Sequence, residues 1–146
     1  MTYTYRRANP ADAEAIVAII RQWNDETPWV GPLDDYADVL SWWRACLTHV
    51  PTSWVAEKDG KTVGFCVRDD DNITGLYVAR AARNRGVGKH LLDLAKQDRD
   101  WITVWSYALN ANARNFYRRE GCIEISRETE EGSGLVDVEH RWTRRP

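Results

Sequence analysis

Two glycines and three basic side chains are concentrated in the segment ARNRGVGKHLL, residues Ala82–Leu92. Gly86 and Gly88 have no Cβ, so the backbone at these positions can approach a ligand closely. An apolar helical pattern begins in the same segment, and the first N–H groups of a helix have no intrahelical partner and carry partial positive charge. Together these features predict a binding site for an anion, with phosphate or pyrophosphate as the natural ligand.

Two familiar phosphate-binding motifs do not fit this segment. A P-loop requires a glycine five residues before the Gly of Gly-Lys and a Ser or Thr after the lysine, but the chain has Arg83 and His90 there. A dinucleotide fingerprint requires a third glycine, where the chain has Leu91. A simple glycine-bearing turn before a helix is therefore the alternative interpretation of this segment taken alone.

A second pattern, NANARNFYRREGC, covers residues Asn110–Cys122. In combination, Arg-x-x-Gly-x-Gly after one strand and Asn-x-x-Ala-x-x-Phe-Tyr-x-x-x-Gly after the next resemble the GCN5-related N-acetyltransferase (GNAT) superfamily. The residues that carry this resemblance are Arg83, Gly86, Gly88, Asn110, Ala113, Phe116, Tyr117 and Gly121. Cys122 departs from the family pattern, since a phenylalanine usually follows the glycine. The predicted order of elements is similar to the GNAT fold along nearly the whole chain.

The resemblance implies acetyl-CoA as co-substrate, no metal ion, and direct attack of a primary amine on the thioester in a ternary complex. In the family, the loop amides bind the pyrophosphate, and the strand before the loop presents backbone groups to the pantetheine and the acetyl carbonyl. The cofactor-binding residues implied in this way are Leu76, Tyr77, Val78, Arg83, Asn84, Arg85, Gly86, Val87, Gly88, Lys89 and Asn110. Tyr117 would lie near the thioester sulfur as the catalytic group that protonates the leaving thiolate.

The sequence offers a candidate for the general acid, Tyr117, but none for the general base. Tyr117 has a packing role as its alternative, but Phe116 beside it is better suited to the core, which would leave Tyr117 facing elsewhere. Many relatives carry a glutamate on the strand before the loop, and Ile73–Gly75 occupy that stretch here. Asp69–Asp71 are expected to form a solvated turn, and Glu139–His140 on the last strand favour a surface or structural role. No general base is assigned.

The segment between the first two predicted helices, residues 23–43, combines aromatic side chains with carboxylates. In the family this segment commonly lines the acceptor site, and aromatic faces with carboxylates suit a cationic amine. The candidate acceptor-binding residues are Trp29, Asp34 and Tyr36. The alternative is that the tryptophans pack against the sheet, as expected for Trp23, and that the acidic residues cap a helix.

Periodicity and turn signals place these residues on a β-α-α-β-β-β-α-β-α-β-β chain. The predicted strands are 3–7, 53–58, 62–68, 73–78, 101–107, 123–128 and 135–142, and the predicted helices are 9–24, 33–47, the stretch from the glycine loop to about 97, and 110–121. The β-α-β-α part implies parallel pairing, and the hairpins on either side imply antiparallel pairing. The expected fold class is α/β: a GNAT-like mixed, mostly antiparallel sheet with a central parallel strand pair, flanked by helices.

Length and composition limit the classes of function. The chain has 146 residues, which favours a single GNAT-like domain over 1–146. A formal net charge of −2 argues against a dedicated nucleic-acid binder, and the longest aliphatic run, Ala15–Ile20, is too short to span a bilayer. Three cysteines without a CxxC motif fit neither a disulfide framework nor a zinc site.

The sequence therefore predicts a cytoplasmic, acetyl-CoA-dependent N-acetyltransferase. Its expected partner is a small-molecule or peptide amine, with no nucleic-acid or membrane partner, and a homodimer is left open. The alternative is a non-catalytic acyl-CoA-binding sensor or partner module of the same fold, which the missing strand glutamate favours and the presence of Tyr117 and Asn110 opposes.

Overall fold

The computed structural model describes residues 2–49 and 52–145. The strands are β1 (Thr4–Arg7), β2 (Ser53–Lys58), β3 (Lys61–Asp69), β4 (Asn72–Val78), β5 (Trp101–Tyr107), β6 (Ile123–Thr129) and β7 (Val136–Thr143). The α-helices are α1 (Ala13–Asp25), α2 (Tyr36–His49), α3 (Val87–Lys96) and α4 (Ala111–Arg119). Within the described residues, no helix has the length and apolar composition needed to cross a membrane.

The described strands form one seven-stranded sheet in the order β1-β2-β3-β4-β5-β7-β6. β4 and β5 pair in parallel, and the other neighbouring strands pair antiparallel. The parallel pair is adjacent because α3 carries the chain back across the sheet between β4 and β5, as a crossover connection requires. The mixed sheet with a central parallel pair that the sequence predicts is confirmed.

The two faces of the sheet carry separate cores because side chains alternate along each strand. In β2, Val55 packs with the apolar residues of α1 and α2, whereas Trp54 and Ala56 belong to the core under α3 and α4. Phe65 of β3 faces α1 and α2, and Cys66 faces the opposite side. The sheet is thereby covered on both faces, which fixes the edges of the parallel pair in place.

Local sequence signals account for several element boundaries. The Asn9 side chain accepts a hydrogen bond from the Ala11 N–H at 2.9 Å, and the Asp12 carboxylate accepts one from the Asn9 N–H at 2.9 Å, so this capping pair starts the first helical segment. Asp59 and Gly60 have φ angles of 54° and 75° in the tight turn between β2 and β3. This turn confirms the predicted hairpin, since such a turn requires positive φ at both positions.

The parallel pair separates soon after it forms. Among the described residues, β4 and β5 pair at two positions, Asn72 with Thr103 and Ile73 with Val104. Beyond them, residues 74–78 and 105–107 run on without pairing to each other. The backbone edges of both strands are therefore open to a ligand at the point where ligands bind in open α/β sheets.

Candidate active site

The separation of β4 and β5 opens a groove with a volume of about 1030 Å³. Residues 74–78 line one wall and residues 104–107 line the other. All of the predicted cofactor-binding residues line this groove except Arg85, which is exposed, and Val87, which is buried in the core. We call the part formed by residues 83–89 the loop end. The part formed by Trp23, Trp29, Tyr77 and Tyr107 is the aromatic end.

The loop end is formed largely by backbone atoms. Gly86 has a φ of +82°, and a Cβ at this position would meet no atom within 4 Å. The His90 N–H bonds to the Gly86 carbonyl at 3.0 Å, so the amides of residues 87–89 precede the first i→i−4 bond of α3. These amides and the positive end of the helix dipole are the groups that the predicted anion site requires.

Basic side chains at and just before the loop end form ion pairs within the protein, which the sequence does not indicate. Arg83 donates to both carboxylate oxygens of Glu26, at 2.9 and 3.1 Å, and to the Val78 carbonyl at 3.0 Å. Arg80 reaches the same carboxylate at 2.7 Å. The hydrogen bonds from Arg83 hold the pKa of Glu26 below its usual value. In the sequence, Glu26 is only one of the carboxylates of residues 23–43, and its pairing with Arg83 was missed because no local pattern indicates it.

Tyr117 lines the groove but is only 5% exposed and belongs to the core under α3 and α4. The expectation that Phe116 takes the core position and Tyr117 faces elsewhere is therefore wrong. Phe116 is half-buried because it packs against Gly88, where a Cβ would lie 3.4 Å from its ring. Burial raises the pKa of Tyr117 above its usual value. The phenol therefore stays protonated and can donate a proton but not accept one.

His140 lies fully buried beneath Tyr117, with 5.2 Å between the two ring centroids. Its Nδ1 is 3.3 Å from the Val104 carbonyl. Burial lowers the pKa of His140, so the ring is neutral at physiological pH. These contacts support the structural role for His140 rather than a role as the general base. The upstream acidic turn is likewise structural, because Asp70 and Asp71 both pair with Arg99.

Two polar side chains lie along the middle of the groove. The Asn110 side chain accepts a hydrogen bond from the Ala113 N–H at 3.1 Å and so caps α4. The Ser106 Oγ is buried and has no hydrogen-bond partner among the described residues. A buried hydroxyl without a partner is unfavourable, and Ser106 lines the groove. The groove therefore offers an unsatisfied polar group to an elongated ligand with amide groups.

The aromatic end consists of rings in edge contact. Trp23 meets Trp29 at 6.3 Å and Tyr77 at 5.5 Å between ring centroids, and Trp29 meets Tyr107 at 5.5 Å. Trp23 was expected to belong to the buried stripe of the first helix. Instead it is half-buried and contributes to the groove wall, because the stripe of α1 ends before it at Ile20. Trp29 lines the same groove as the predicted cofactor-binding residues.

The other two acceptor candidates lie outside the groove. Asp34 is exposed on the connection before α2. Tyr36 is 45% exposed, and the Arg21 guanidinium lies 5.3 Å from its ring centroid. Neither residue is brought together with Trp29 because α2 begins at Tyr36 and carries the chain away from the groove over the sheet. The structure thus separates Asp34 and Tyr36 from the residues that share the groove.

Asp137, a carboxylate that no sequence pattern singles out, lines the groove from β7. It lies directly opposite Tyr107 of β5 and Glu128 of β6 in the antiparallel register. Burial, and then the hydrogen bond and the charge of Glu130, raise the pKa of Asp137 to about 6. In the sequence, Asp137 is one polar position of an alternating strand, and only the tertiary structure places it in the groove.

Comparison with known proteins agrees with this architecture. The family model described as "Acetyltransferase (GNAT) domain" matches residues 50–121, which include β4, the loop end and α4. This stretch of the chain matches a GNAT acetyltransferase domain. It is 29% identical over 119 residues to the peptidyl-lysine N-acetyltransferase YiaC of Escherichia coli K12, covering 76% of this chain and 79% of that protein. These two matches support an N-acetyltransferase.

Solved GNAT-like structures share the fold over nearly the full length. The apo form of YjaB from Escherichia coli has a TM-score of 0.80 at 22% identity and covers 99% of this chain and 100% of its own. The yncA acetyltransferase of Salmonella typhimurium, solved with acetyl-CoA, has a TM-score of 0.72 at 21% identity and covers 100% of this chain and 96% of its own. Among the described residues of this GNAT chain, no group of three His, Cys, Asp or Glu side chains could hold a metal ion.

Proposed function

We propose that this GNAT domain, residues 1–146, transfers an acetyl group from acetyl-CoA to a primary amine by direct attack in a ternary complex. The observation that carries the proposal is the continuous groove. Its loop end offers helix amides to a pyrophosphate, its aromatic end can receive an amine, and the protonated Tyr117 also lines the groove. The peptidyl-lysine N-acetyltransferase named among the relatives supports a lysine side chain as one class of acceptor.

The groove residues fit acetyl-CoA. The amides at the start of α3 suit the pyrophosphate, and the buried Ser106 hydroxyl can hydrogen-bond an amide of the pantetheine arm. The thioester of acetyl-CoA would supply the acetyl group. We assign the predicted contacts with acetyl-CoA to Leu76, Val78 and the loop end. Because Arg83 is held by Glu26, its side chain would lie beside the pyrophosphate and would not enclose it.

Strand geometry directs one backbone donor to the reacting carbonyl. The Ala79 N–H bonds to the Val63 carbonyl of β3 at 2.8 Å. Since successive backbone groups point to opposite sides of a strand, the N–H and C=O of Val78 face the groove. The hydrogen bond from Arg83 to the Val78 carbonyl agrees with this orientation. The Val78 N–H can therefore stabilise the negative charge that develops on the acetyl oxygen.

We assign Tyr117 as the proton donor to the departing sulfur. The thiolate of a thiol with a pKa near ~8.5 is a weaker base than the tyrosinate of an ordinary tyrosine with a pKa near ~10. Burial widens this difference by raising the pKa of Tyr117. Tyr117 therefore acts mainly by donating a hydrogen bond to the thiolate, with proton transfer completed as the thiol leaves.

A non-catalytic acyl-CoA-binding module is the second candidate, because Ile73–Gly75 place no carboxylate on β4. Asp137 weakens that argument, since it supplies a carboxylate to the same groove from β7. The cytoplasmic location and the small-molecule or peptide acceptor stay predictions. The homodimer stays open.

The decisive experiment is an acetyl-transfer assay that follows thiol release and the mass of the acceptor. The purified protein is mixed with acetyl-CoA and either Nα-acetyl-lysine amide or its uncharged analogue Nα-acetyl-norleucine amide, and then with peptide N-termini and small amines. We expect amine-dependent thiol release together with the addition of one acetyl group to the amine. Binding of acetyl-CoA without release for every amine class would instead support the sensor module.

A further inference from the structure

The groove contains two carboxylates of different character among its described residues, Glu26 and Asp137. Glu26 is neutralised by Arg80 and Arg83. Asp137 makes no ion pair with any described residue, although it is half-buried. A half-buried carboxylate without a counter-charge, in an open groove with aromatic walls, can attract a cationic ligand.

The position of Asp137 places it at the aromatic end. Directly opposed residues in an antiparallel pair project to the same face of the sheet, so Asp137 projects with Tyr107. Tyr107 is the residue whose ring meets Trp29. The carboxylate therefore adjoins rings that can hold the stem of an amine and stabilise its charge through cation–π contacts.

Asp137 and Tyr117 lie on opposite faces of the sheet. Val104 of β5 belongs to the same core as Tyr117, and alternation along β5 places Tyr107, three residues later, on the other face. The two groups are thus separated by the open edges of β4 and β5, where the thioester would lie. Asp137 would then face the incoming amine, and Tyr117 would face the departing sulfur.

We propose that Asp137 binds the ammonium group of a cationic acceptor and is the catalytic base that removes its proton during acetyl transfer. The inference rests on the proposed function and adds the acceptor class, a primary amine on a flexible apolar stem, such as a lysine side chain. The amine stem lies along the exposed faces of Trp29 and Tyr107, which contact each other edge to face, with its nitrogen directed at Asp137 and the Val78 edge of β4.

The surroundings of Asp137 favour this role. The groups that face it are Tyr107 from β5, Glu128 from β6 and Glu130 from the turn before β7. Burial and the charge of Glu130 raise the pKa of Tyr107, so it remains neutral and does not compete as a base. Burial, followed by the hydrogen bond and the charge of Glu130, raises the pKa of Asp137 to about 6. Asp137 therefore titrates together with Glu130 and is more basic than an ordinary aspartate, as general-base catalysis requires.

The step balances in atoms and charge. The amine nitrogen forms a bond to the acetyl carbon, and the bond between that carbon and sulfur breaks. Of the three ammonium protons, one stays on the amide nitrogen and one passes through Asp137 to solvent. Tyr117 donates its proton to the sulfur, and the third ammonium proton leaves to solvent, from which Tyr117 takes back one proton. The net products are an amide, a free thiol and one solvent proton.

The first test compares Asp137→Asn with the matched variant Glu139→Gln, which neutralises the next carboxylate on the same face of β7 outside the groove. For Asp137→Asn we expect acetyl-CoA affinity within about twofold of wild type and kcat/KM lowered by about 10²–10⁴. The wild-type kcat/KM should fall as the pH drops through about 6, and this dependence should disappear in Asp137→Asn. Full activity with an unchanged pH profile in Asp137→Asn would overturn the inference.

A second test needs no turnover. Calorimetry of the protein saturated with CoA, which has no acetyl group to transfer, measures binding of Nα-acetyl-lysine amide and Nα-acetyl-norleucine amide. We expect the lysine probe to bind wild type at least about tenfold more tightly than Asp137→Asn, and the norleucine probe to bind both proteins equally weakly. Equal binding of the lysine probe to both proteins, or no binding to wild type, would overturn the inference.

The two tests separate this inference from the proposed function. If wild type binds the lysine probe through Asp137 but releases no thiol from acetyl-CoA, the proposed function fails and the amine site stands. If wild type and Asp137→Asn transfer acetyl groups equally well, the proposed function stands and the assignment of Asp137 fails.

Discussion

The loop end and the aromatic end of the groove are held in place by different kinds of structure. The loop end consists of consecutive residues, and its ligand-facing atoms are backbone amides whose directions are set by the start of α3 and by Gly86. The aromatic end is assembled from side chains on α1, the connection after it, β4 and β5, with Asp137 added from β7. Binding at the loop end should therefore be sensitive to backbone conformation, and binding at the aromatic end to single side chains.

The largest expected effect on kcat is that of Tyr117→Phe. If the thioester lies at Tyr117, Tyr117→Phe should lower kcat by about 10²–10⁴ through loss of the proton donor, with little change in the affinity for acetyl-CoA or the amine. Because burial raises the pKa of Tyr117, the wild-type rate should show no decline from ionisation of this phenol below about pH 10.

Steady-state kinetics and calorimetry with Tyr117→Phe check this prediction, and Tyr3→Phe serves as a control far from the groove. An unchanged kcat in Tyr117→Phe would remove the proton-donor role and place the reacting atoms elsewhere.

The backbone character of the loop end leads to the second prediction, for Gly86→Ala. Gly86 and Gly132 have similar φ angles of +82° and +87°, and neither has an atom within 4 Å of an added Cβ. Each alanine variant should lose about 1–2 kcal/mol of stability through the left-handed backbone conformation. Only Gly86→Ala should also weaken acetyl-CoA binding, by about 10–100-fold if one amide contact with the phosphates is lost.

Thermal unfolding and calorimetric titration of the two variants separate stability from binding. Equal acetyl-CoA affinity in Gly86→Ala and Gly132→Ala would show that the loop amides are not the phosphate site.

The aromatic end should respond to removal of one ring. Trp29→Ala should raise the KM of a cationic acceptor by about 2–30-fold, the range expected for loss of a cation–π contact of about 0.5–2 kcal/mol. The affinity for acetyl-CoA should not change. Trp42, which is 53% exposed on α2, provides a matched Trp→Ala control, and an acceptor KM that is equal in the two variants would exclude Trp29 from the acceptor site.

The smallest effect is expected at Asp34, which the sequence selects and the structure leaves outside the groove. Asp34→Asn should change the acceptor KM by less than about twofold, because solvent screens an exposed charge at this position. Initial-rate measurements at low and moderate salt concentrations test this point. A rise in KM comparable to that of Trp29→Ala would mean that the α1–α2 connection closes over the acceptor.

The sequence predicts what is local and misses what depends on tertiary contacts. The order of helices and strands along the chain, the hairpin at Asp59–Gly60 and the loop end follow from periodicity, turn residues and one contiguous motif. The neutralisation of Arg83 by Glu26 joins residues far apart in the chain, and no local pattern indicates it.

The exchange of roles between Phe116 and Tyr117 has a similar origin. Helical periodicity cannot decide which of two adjacent aromatic residues is buried, and the close approach of Phe116 to Gly88 settles it through a contact between α3 and α4. Asp137 reaches the groove because β7 inserts between β5 and β6, a strand order that the linear sequence does not contain.

Backbone amide NMR during titration with acetyl-CoA tests the central claim most directly, that the groove between β4 and β5 binds the acetyl donor with its pyrophosphate at the loop end. Gly86 and Gly88 report on the loop end, and Gly60 and Gly132 report on distant turns. The account predicts large, saturable shifts of the Gly86, Gly88 and Val78 amides with little change at Gly60 and Gly132. Absence of shifts at Gly86 and Gly88 under saturating acetyl-CoA, or shifts confined to other surfaces, would contradict it.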